Sequence, residues 1–128
     1  MKGFSLKPAR HSHSGEHELQ SSCKAWFDGE HPDLAMLLFA VPNGGKRSVS
    51  EGQRLKDEGV VAGVSDMILL LPRGPHNALC LEFKYGRNKQ SPKQKEWQSA
   101  AELAGARYCI IRDKETFIAT INNYLLCG

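Results

Sequence analysis

Residues 66–85 read DMILLLPRGPHNALCLEFKY, in which two apolar runs flank a segment of turn-forming residues. The runs at 66–71 and 78–85 have the length and the apolar content of buried strands. The proline, glycine and asparagine residues between them favour a turn. The sequence therefore predicts an antiparallel β-hairpin whose turn spans 72–77.

The predicted hairpin brings acidic and basic side chains together. Side chains alternate between the two faces of a strand, so Glu82 and Lys84 share one face. Pairing that is symmetric about the middle of the turn brings Asp66 opposite residues 82–84, although a turn of this length permits a shift of one or two residues. Two carboxylates and one ammonium group are thus expected to converge.

The sequence before the hairpin predicts two helices and a strand. Apolar residues recur at helical spacing over 15–28, which predicts a first helix there. The apolar run at 35–41 predicts a buried strand, and the polar stretch at 50–58 predicts a short helix. Residues 1–14 show no apolar period and are interpreted as a flexible N-terminal arm, which leaves 15–128 as the single domain.

The chain after the hairpin predicts a helix, a strand and a last helix. Ser91 and Pro92 are a favourable N-cap and first helical residue, and Gly105 ends that helix. A fourth strand is predicted at 107–111, and Asp113 is a suitable cap for the last helix. The element order α-β-(α)-β-β-α-β-α predicts an α/β fold, with a sheet flanked by helices.

Composition fits a soluble globular protein. The chain has 128 residues, 41% of them hydrophobic, and no apolar run approaches the roughly 18 residues of a membrane span. No apolar stretch of a secretory signal follows the basic residues at the N-terminus. The four cysteines are far apart in sequence, so reduced thiols are expected. We therefore expect a cytoplasmic protein that does not enter a membrane.

A basic strip follows the hairpin, although the formal net charge is only +3. Five cations occur between residues 84 and 95 without an acidic residue among them: Lys84, Arg87, Lys89, Lys93 and Lys95. Concentrated positive charge attracts a phosphate backbone, so the strip predicts a nucleic-acid contact. The alternative is an ordinary solvated face.

The two carboxylates indicate a metal site. Asp66 and Glu82 would repel each other at the predicted separation, and a hard divalent cation such as Mg²⁺ relieves that repulsion by binding both through oxygen. Such a cation activates water and polarises a phosphate, while Lys84 orients the water or stabilises negative charge on phosphorus. The alternative is a structural ion pair between Glu82 and Lys84 on an edge strand.

Two further polar side chains are candidates for the same site. Glu16 lies at the end of the apolar stripe of the first helix, whereas Glu18 is expected to face solvent. Glu16 is therefore the preferred third acidic group, with a favourable first-turn position near the helix dipole as the alternative. Gln94 lies on the inward face of its helix, but with Ser91 it also fits a capping box.

Together these motifs resemble a VRR-NUC domain, a family of the PD-(D/E)xK nucleases. The resemblance covers nearly the whole chain after residue 15 and rests on five motifs: Glu16-x-x-x-Gln20, Asn43-Gly44-Gly45, Gly63-Val64-Ser65-Asp66, Glu82-x-Lys84 and Ser91-Pro92-x-Gln94-x-x-Trp97. One departure is Ser65, where the family usually has proline. The resemblance implies a restriction-endonuclease-like mixed sheet flanked by helices.

The resemblance also implies a reaction and roles for the residues. It implies Mg²⁺- or Mn²⁺-dependent endonuclease activity, with Asp66, Glu82 and the Phe83 carbonyl as metal ligands. Lys84 would be the catalytic lysine, and Glu16 and Gln94 would support the active site. Minimal proteins of this type occur in phages and bacteria, and the similarity of the family to junction resolvases implies branched DNA, such as a Holliday junction, as substrate.

Two expectations follow for DNA and for oligomeric state. Predicted DNA contacts are Asn43, Gly44, Lys46 and Arg47 in a loop, and Arg87, Lys89 and Lys93 in the basic strip. Resolution of a symmetric junction needs two cuts, which predicts a homodimer. Its interface is predicted in a surplus of apolar side chains on the last helix, namely Phe117, Ile118, Ile121, Tyr124, Leu125 and Leu126.

The sequence also permits two other functional interpretations. His11, His13 and His17 form a cluster that, with Cys23, has the chemistry of a zinc site. A non-catalytic nucleic-acid-binding module is the second reading, in which the carboxylates are structural and the basic strip holds phosphate. A nuclease requires a divalent metal for turnover, whereas a binding module keeps its affinity in chelator and never cuts.

Overall fold

A computed structural model describes residues 8–42 and 48–127 of the chain. The described elements are, in order, α1 (Pro8–Glu30), a 3₁₀ helix (Pro32–Leu37), β1 (Leu38–Ala40), α2 (Val49–Asp57), β2 (Met67–Leu69), β3 (Leu79–Phe83), α3 (Pro92–Leu103), β4 (Arg107–Ile111) and α4 (Lys114–Leu126). This order and the α/β class agree with the sequence prediction. None of the helices in these two ranges is long and apolar enough to cross a membrane.

The four strands form one mixed sheet in the order β1-β2-β3-β4. The first three are antiparallel neighbours, and β4 runs parallel to β3. Parallel neighbours need a crossover connection, which α3 supplies. The predicted hairpin is confirmed, because Met67 pairs with Leu81 and the turn is closed by backbone hydrogen bonds between Arg73 and His76.

Helices cover both faces of this sheet. On one face Leu81 and Phe83 of β3 join a buried core with Phe27 of α1 and Phe117 of α4. On the other face α3 packs against β4. Because side chains alternate along β3, Glu82 points away from the apolar core and toward the α3 side. The alternation therefore determines where the candidate site lies.

Helix α1 begins earlier than the sequence predicts. It starts at Pro8, so the backbone of residues 8–14 is helical, where the sequence predicts no helix. The predicted start at residue 15 rested on the apolar period, which helical backbone does not require. Proline is favoured in the first helical turn, and no helix-breaking residue occurs between Pro8 and Gly15. Residues 1–7 of the predicted arm lie outside the described residues.

The predicted strand at 35–41 is wrong in its first half. Residues 35–37 belong to the 3₁₀ helix, which Pro32 begins and which leaves only three residues for β1. The ammonium group of Lys24 donates to the carbonyls of Ala35 and Leu38 at 2.7 and 2.8 Å. Leu38 is buried, but the two following residues of β1 are exposed. The Ala35 carbonyl also accepts from the Leu38 amide, so this part of the segment is helical rather than extended.

The predicted apolar surplus on α4 is also wrong. Phe117, Ile121 and Tyr124 are buried in the core, and Ile118 and Leu125 are half-buried against it. Leu126 alone of the six predicted interface residues is exposed. The helix contacts both α1 and β4, so its apolar side chains are used within the chain. All four cysteines lie in the described ranges, and none is joined to another in a disulfide.

Candidate active site

Asp66, Glu82 and Lys84 meet at the end of the hairpin opposite its turn. Asp66 directly precedes β2, Glu82 lies within β3, and Lys84 directly follows it. The amide of Phe83 donates to Oδ2 of Asp66 at 2.7 Å, which ties this carboxylate to the facing strand. The amide of Lys84 donates to the carbonyl of Ile111 at 2.9 Å. The predicted convergence of these three residues is present, with Asp66 opposite Glu82.

Glu82 is fully buried, and its two oxygens have different surroundings. Oε1 accepts hydrogen bonds from the Tyr108 hydroxyl and from Nε2 of Gln90, the latter at 3.3 Å. Oε2 lies 3.3 Å from Nζ of Lys84. Oε2 is buried and accepts no hydrogen bond from any described residue. One oxygen is therefore held by neutral donors, and the other has acceptor capacity left.

Lys84 is almost as buried as its partner, with 8% of its surface exposed. Its Nζ donates to Oε1 of Gln94 at 3.0 Å. The same oxygen accepts from the amide of Ser91 at 2.8 Å, and Ser91 Oγ accepts from the Gln94 amide at 3.2 Å. At the level of sequence, the capping box and a contact with the site compete for the side chain of Gln94. In the structure its Oε1 makes both contacts, because an amide carbonyl has two lone pairs.

Glu16 reaches the site from α1. It is half-buried, and its Oε2 accepts from Nδ2 of Asn88 at 2.7 Å, whereas Glu18 is exposed. The guanidinium of Arg112 donates to the carbonyls of Gly86 and Asn88 at 3.2 and 2.9 Å, which holds the loop after β3 in place. Glu16 is thus fixed to the loop that follows Lys84.

Burial and like charges act on Asp66. Desolvation by burial is the main cause that raises its pKa, and the charges of Glu82 and Glu16 raise it further. The Phe83 amide and the Lys84 ammonium oppose this shift. The ionised site thus holds more negative charge than its own lysine offsets, which is the electrostatic condition that favours a bound cation.

The donor atoms suit a hard divalent cation. Among the described residues no group of three or more His, Cys, Asp or Glu side chains is arranged to hold a metal ion. Mg²⁺, however, is usually bound through one or two carboxylates, with waters and substrate phosphates as its other ligands. Asp66 and Glu82 supply such a pair, and Oε2 of Glu82 is a buried oxygen with acceptor capacity to spare. The residues therefore fit the metal that the sequence predicts.

The loop before Asp66 is held against the start of α3. Gly63 has a φ of +87°, and a Cβ there would lie 2.4 Å from the carbonyl oxygen of Lys93. Ser65 is fully buried, and its hydroxyl donates to the Met67 carbonyl at 3.1 Å. Ser65 therefore fixes the approach to Asp66 through a local hydrogen bond.

The predicted DNA contacts fall into two groups. Arg87, Lys89 and Lys93 are exposed, and Lys93 has a long ion-pair contact of 3.9 Å with Glu96. Lys84 is buried in the site and does not belong to the exposed part of the basic strip. The loop residues lie outside the described ranges, namely Asn43, Gly44, Lys46 and Arg47.

The thiol of the zinc alternative lies in the core, apart from the exposed His17. Cys23 is fully buried in the core, and burial raises its pKa to about 11. His17 is exposed on the same helix, and the side chains of His11 and His13 lie outside the described part of the chain.

Three residues of the site are not predicted from the sequence: Tyr108, Gln90 and Asn88. Tyr108 is buried on β4, where burial is the main cause that raises its pKa, followed by its bond to Glu82. A tyrosine in an apolar strand usually has a partner for its hydroxyl, which is the one available signal. The partner depends on the parallel register of β3 and β4, in which Cys80 pairs with Tyr108.

Comparison with known proteins supports the fold. A solved structure described as a VRR_NUC domain protein superposes with a TM-score of 0.77 and covers 100% of this chain and 93% of its own. The two sequences are 23% identical. No family model matches the sequence, and a search of curated proteins found no match. The chain has a VRR-NUC domain fold.

Proposed function

We propose that the chain is a divalent-metal-dependent endodeoxyribonuclease. The observation that carries the proposal is the position of Asp66 and Glu82 on one side of the hairpin end, beside the buried ammonium group of Lys84. The fold supports it, because the superposed neighbour is described as a VRR_NUC domain protein. The substrate is a DNA phosphodiester bond.

Asp66 and Glu82 would hold Mg²⁺ or Mn²⁺, with the Phe83 carbonyl as a further ligand. The chemistry that the bound cation supplies is Lewis-acid polarisation of the phosphodiester and activation of water. The Phe83 amide keeps the Asp66 carboxylate against β3. Lys84, whose Nζ lies 3.3 Å from Oε2 of Glu82, balances part of the buried charge.

Lys84 acts on the charge that develops during hydrolysis. Its Nζ lies between Oε2 of Glu82 and Oε1 of Gln94, so its position is fixed before substrate arrives. A preorganised cation in a site with little water stabilises the extra negative charge on the phosphate oxygens. Gln94 is then a positioning residue for Lys84, and Glu16 supports the site through Asn88.

A cleavage assay with two isosteric variants tests the proposal. Asp66→Asn and Glu82→Gln each replace a charged oxygen by an amide of the same shape, so cleavage of labelled DNA with Mg²⁺ or Mn²⁺ should be lost. DNA binding and fold should be kept. Asp57→Asn, at an exposed residue of α2, is the matched control and should cut at the wild-type rate.

Two outcomes contradict the proposal. Cleavage by either site variant at the wild-type rate would remove Asp66 and Glu82 from the reaction. A wild-type protein that binds DNA equally well in chelator and never cuts would be a non-catalytic nucleic-acid-binding module.

The finer proposal is a homodimer that acts on branched DNA in the cytoplasm, where its four free thiols remain reduced. One site cuts one strand, and a four-way junction requires two symmetric cuts. Most apolar side chains of α4 pack within the chain and do not form an interface. The two-fold symmetry of the junction is therefore the argument that remains for a dimer. Light scattering at micromolar concentration should give twice the mass of one chain, and four-way DNA should be cut faster than linear DNA. A monomer that cuts both equally would overturn the finer proposal and leave the nuclease in place.

A further inference from the structure

The carboxylate of Glu82 is held on one side by groups that the proposed reaction does not use. Tyr108 has 8% of its surface exposed, and its hydroxyl donates to Oε1 of Glu82. Nε2 of Gln90 donates to the same oxygen at 3.3 Å. The opposite oxygen, Oε2, has only the ion-pair contact with Lys84 among its described neighbours. The two oxygens are therefore distinguished by their partners.

Both donors are themselves anchored by α3. The ring of Tyr108 packs against Trp97, with ring centroids 6.1 Å apart. Nε2 of Gln90 donates to Oε1 of Gln98 at 2.8 Å, and Gln98 in turn donates to Glu102 at 3.2 Å. Nε2 of Gln90 also lies 3.5 Å from the Tyr108 hydroxyl, so its two hydrogens are shared among three acceptors, of which Gln98 is the nearest. The donors thus have positions that are fixed independently of Glu82.

We propose that Tyr108 and Gln90 are positioning residues that occupy Oε1 of Glu82 and leave Oε2 as the oxygen offered to the divalent cation. This inference rests on the proposed nuclease function. The last torsion of a glutamate side chain is broad and nearly two-fold, so a free carboxylate has no fixed choice between its oxygens. Groups that orient a metal-binding carboxylate contribute to metal affinity although they do not touch the metal.

Tyr108→Phe tests the inference, because it removes the hydroxyl and keeps the ring against Trp97. We expect the affinity for Mn²⁺, titrated calorimetrically into the full chain, to fall about tenfold or more. Tyr124→Phe is the matched control. Tyr124 is also a buried tyrosine, and its hydroxyl donates to the Leu71 carbonyl at 2.6 Å, away from the carboxylates. Tyr124→Phe should bind Mn²⁺ as the wild type does, even where its melting temperature falls.

A double variant separates positioning from a general structural effect. If Tyr108 acts through Glu82, then Tyr108→Phe should cause no further loss of Mn²⁺ affinity in a Glu82→Gln background. Gln90→Ala, which changes a half-buried residue of the loop before α3, provides a second variant outside the core. It should weaken Mn²⁺ binding in the same direction, and it decides the question where Tyr108→Phe does not fold.

The outcomes distinguish this inference from the proposed function. Wild-type Mn²⁺ affinity in a folded Tyr108→Phe variant, or in Gln90→Ala where the first does not fold, would overturn the positioning role alone. Failure of the wild-type protein to bind Mn²⁺ would overturn the metal site and the positioning role together. Equal losses in Tyr108→Phe and Tyr124→Phe would also overturn it, because the effect would then follow from stability.

Discussion

Lys84 is a cation held in a site almost closed to water, and its two partners decide what its removal should do. Its Nζ contacts Oε2 of Glu82 at 3.3 Å and Oε1 of Gln94 at 3.0 Å. Lys84→Met keeps the aliphatic volume and removes the charge. Turnover should be lost, but Mn²⁺ affinity should stay equal or rise, because a like charge no longer repels the cation.

Calorimetry and a cleavage assay on the same preparation check this prediction. Lys56→Met, on an exposed face of α2, should change neither quantity. A large loss of Mn²⁺ affinity in Lys84→Met would mean that the lysine organises the carboxylates rather than acting on the phosphate.

Gly63 is required for a second reason besides its backbone conformation. Gly63 and Gly59 both have positive φ, of +87° and +105°, but only a Cβ on Gly63 would meet the backbone of Lys93, at 2.4 Å. Gly59→Ala should lower the free energy of unfolding by about 1–3 kcal/mol, from backbone strain alone. Gly63→Ala should cost more, because the loop or α3 must also move, and it should lower cleavage by displacing Asp66. Urea denaturation of the two variants measures the difference in free energy of unfolding. An equal loss in both would show that the contact with α3 contributes nothing to stability.

At the scale of elements, two helices differ in the chemistry of their caps. Asp113 caps α4 by accepting from the Thr116 amide at 2.7 Å, and Ser48 caps α2 by accepting from the Glu51 amide at 3.1 Å. The bonds from Thr116 lower the pKa of Asp113 below its ordinary value. The ionised carboxylate therefore stabilises the fold above about pH 4, and this contribution is lost as pH falls through the lowered pKa.

Thermal unfolding as a function of pH tests the difference. Asp113→Ala should lower the melting temperature at pH 7, and the gap to wild type should narrow as the pH falls from 5 to 3. Ser48→Ala should also lower it, but by an amount that does not change with pH, since a hydroxyl does not titrate in this range. A pH-independent gap for Asp113→Ala would show that the charge of the carboxylate adds nothing to its hydrogen bond.

The elements that the sequence predicts well are those with local signals. The hairpin follows from its apolar runs and its turn residues, and α3 follows from Ser91, Pro92 and the glycine that ends it. The first half of the predicted strand at 35–41 is instead the end of the 3₁₀ helix that Pro32 begins, and the contact of its Ala35 carbonyl with Lys24 is one that no local pattern predicts. Tyr108 is missed for a similar reason, since the register of a parallel pair depends on a crossover and not on a turn.

At the scale of the whole molecule, charge is separated between the site and its surroundings. The formal net charge is only +3, and the acidic groups Asp66, Glu82 and Glu16 converge at the hairpin end. The exposed cations Arg87, Lys89 and Lys93 belong to the segment that leads from that end into α3. A polyanion approaching the carboxylates therefore meets positive charge beside them, which offsets the repulsion by the acidic site.

The proposed binding of DNA should depend on salt because of this arrangement. Each phosphate contact releases condensed counterions, so the affinity falls with salt in proportion to the number of contacts. The double variant Lys89→Ala, Lys93→Ala should weaken binding and reduce the slope of log K against log salt by roughly two contacts, about 1.8 units for duplex DNA. The rate of cleavage at saturating DNA should change little, because neither residue touches the carboxylates.

Arg73 provides the control for position. It is a cation of the β2–β3 turn, at the opposite end of the hairpin from Glu82, so Arg73→Ala alters net charge away from the proposed path of the DNA. Its salt slope should equal that of the wild type. If Arg73→Ala reduced the slope per charge as much as the double variant does, binding would depend on net charge alone. The basic strip would then be an ordinary solvated face.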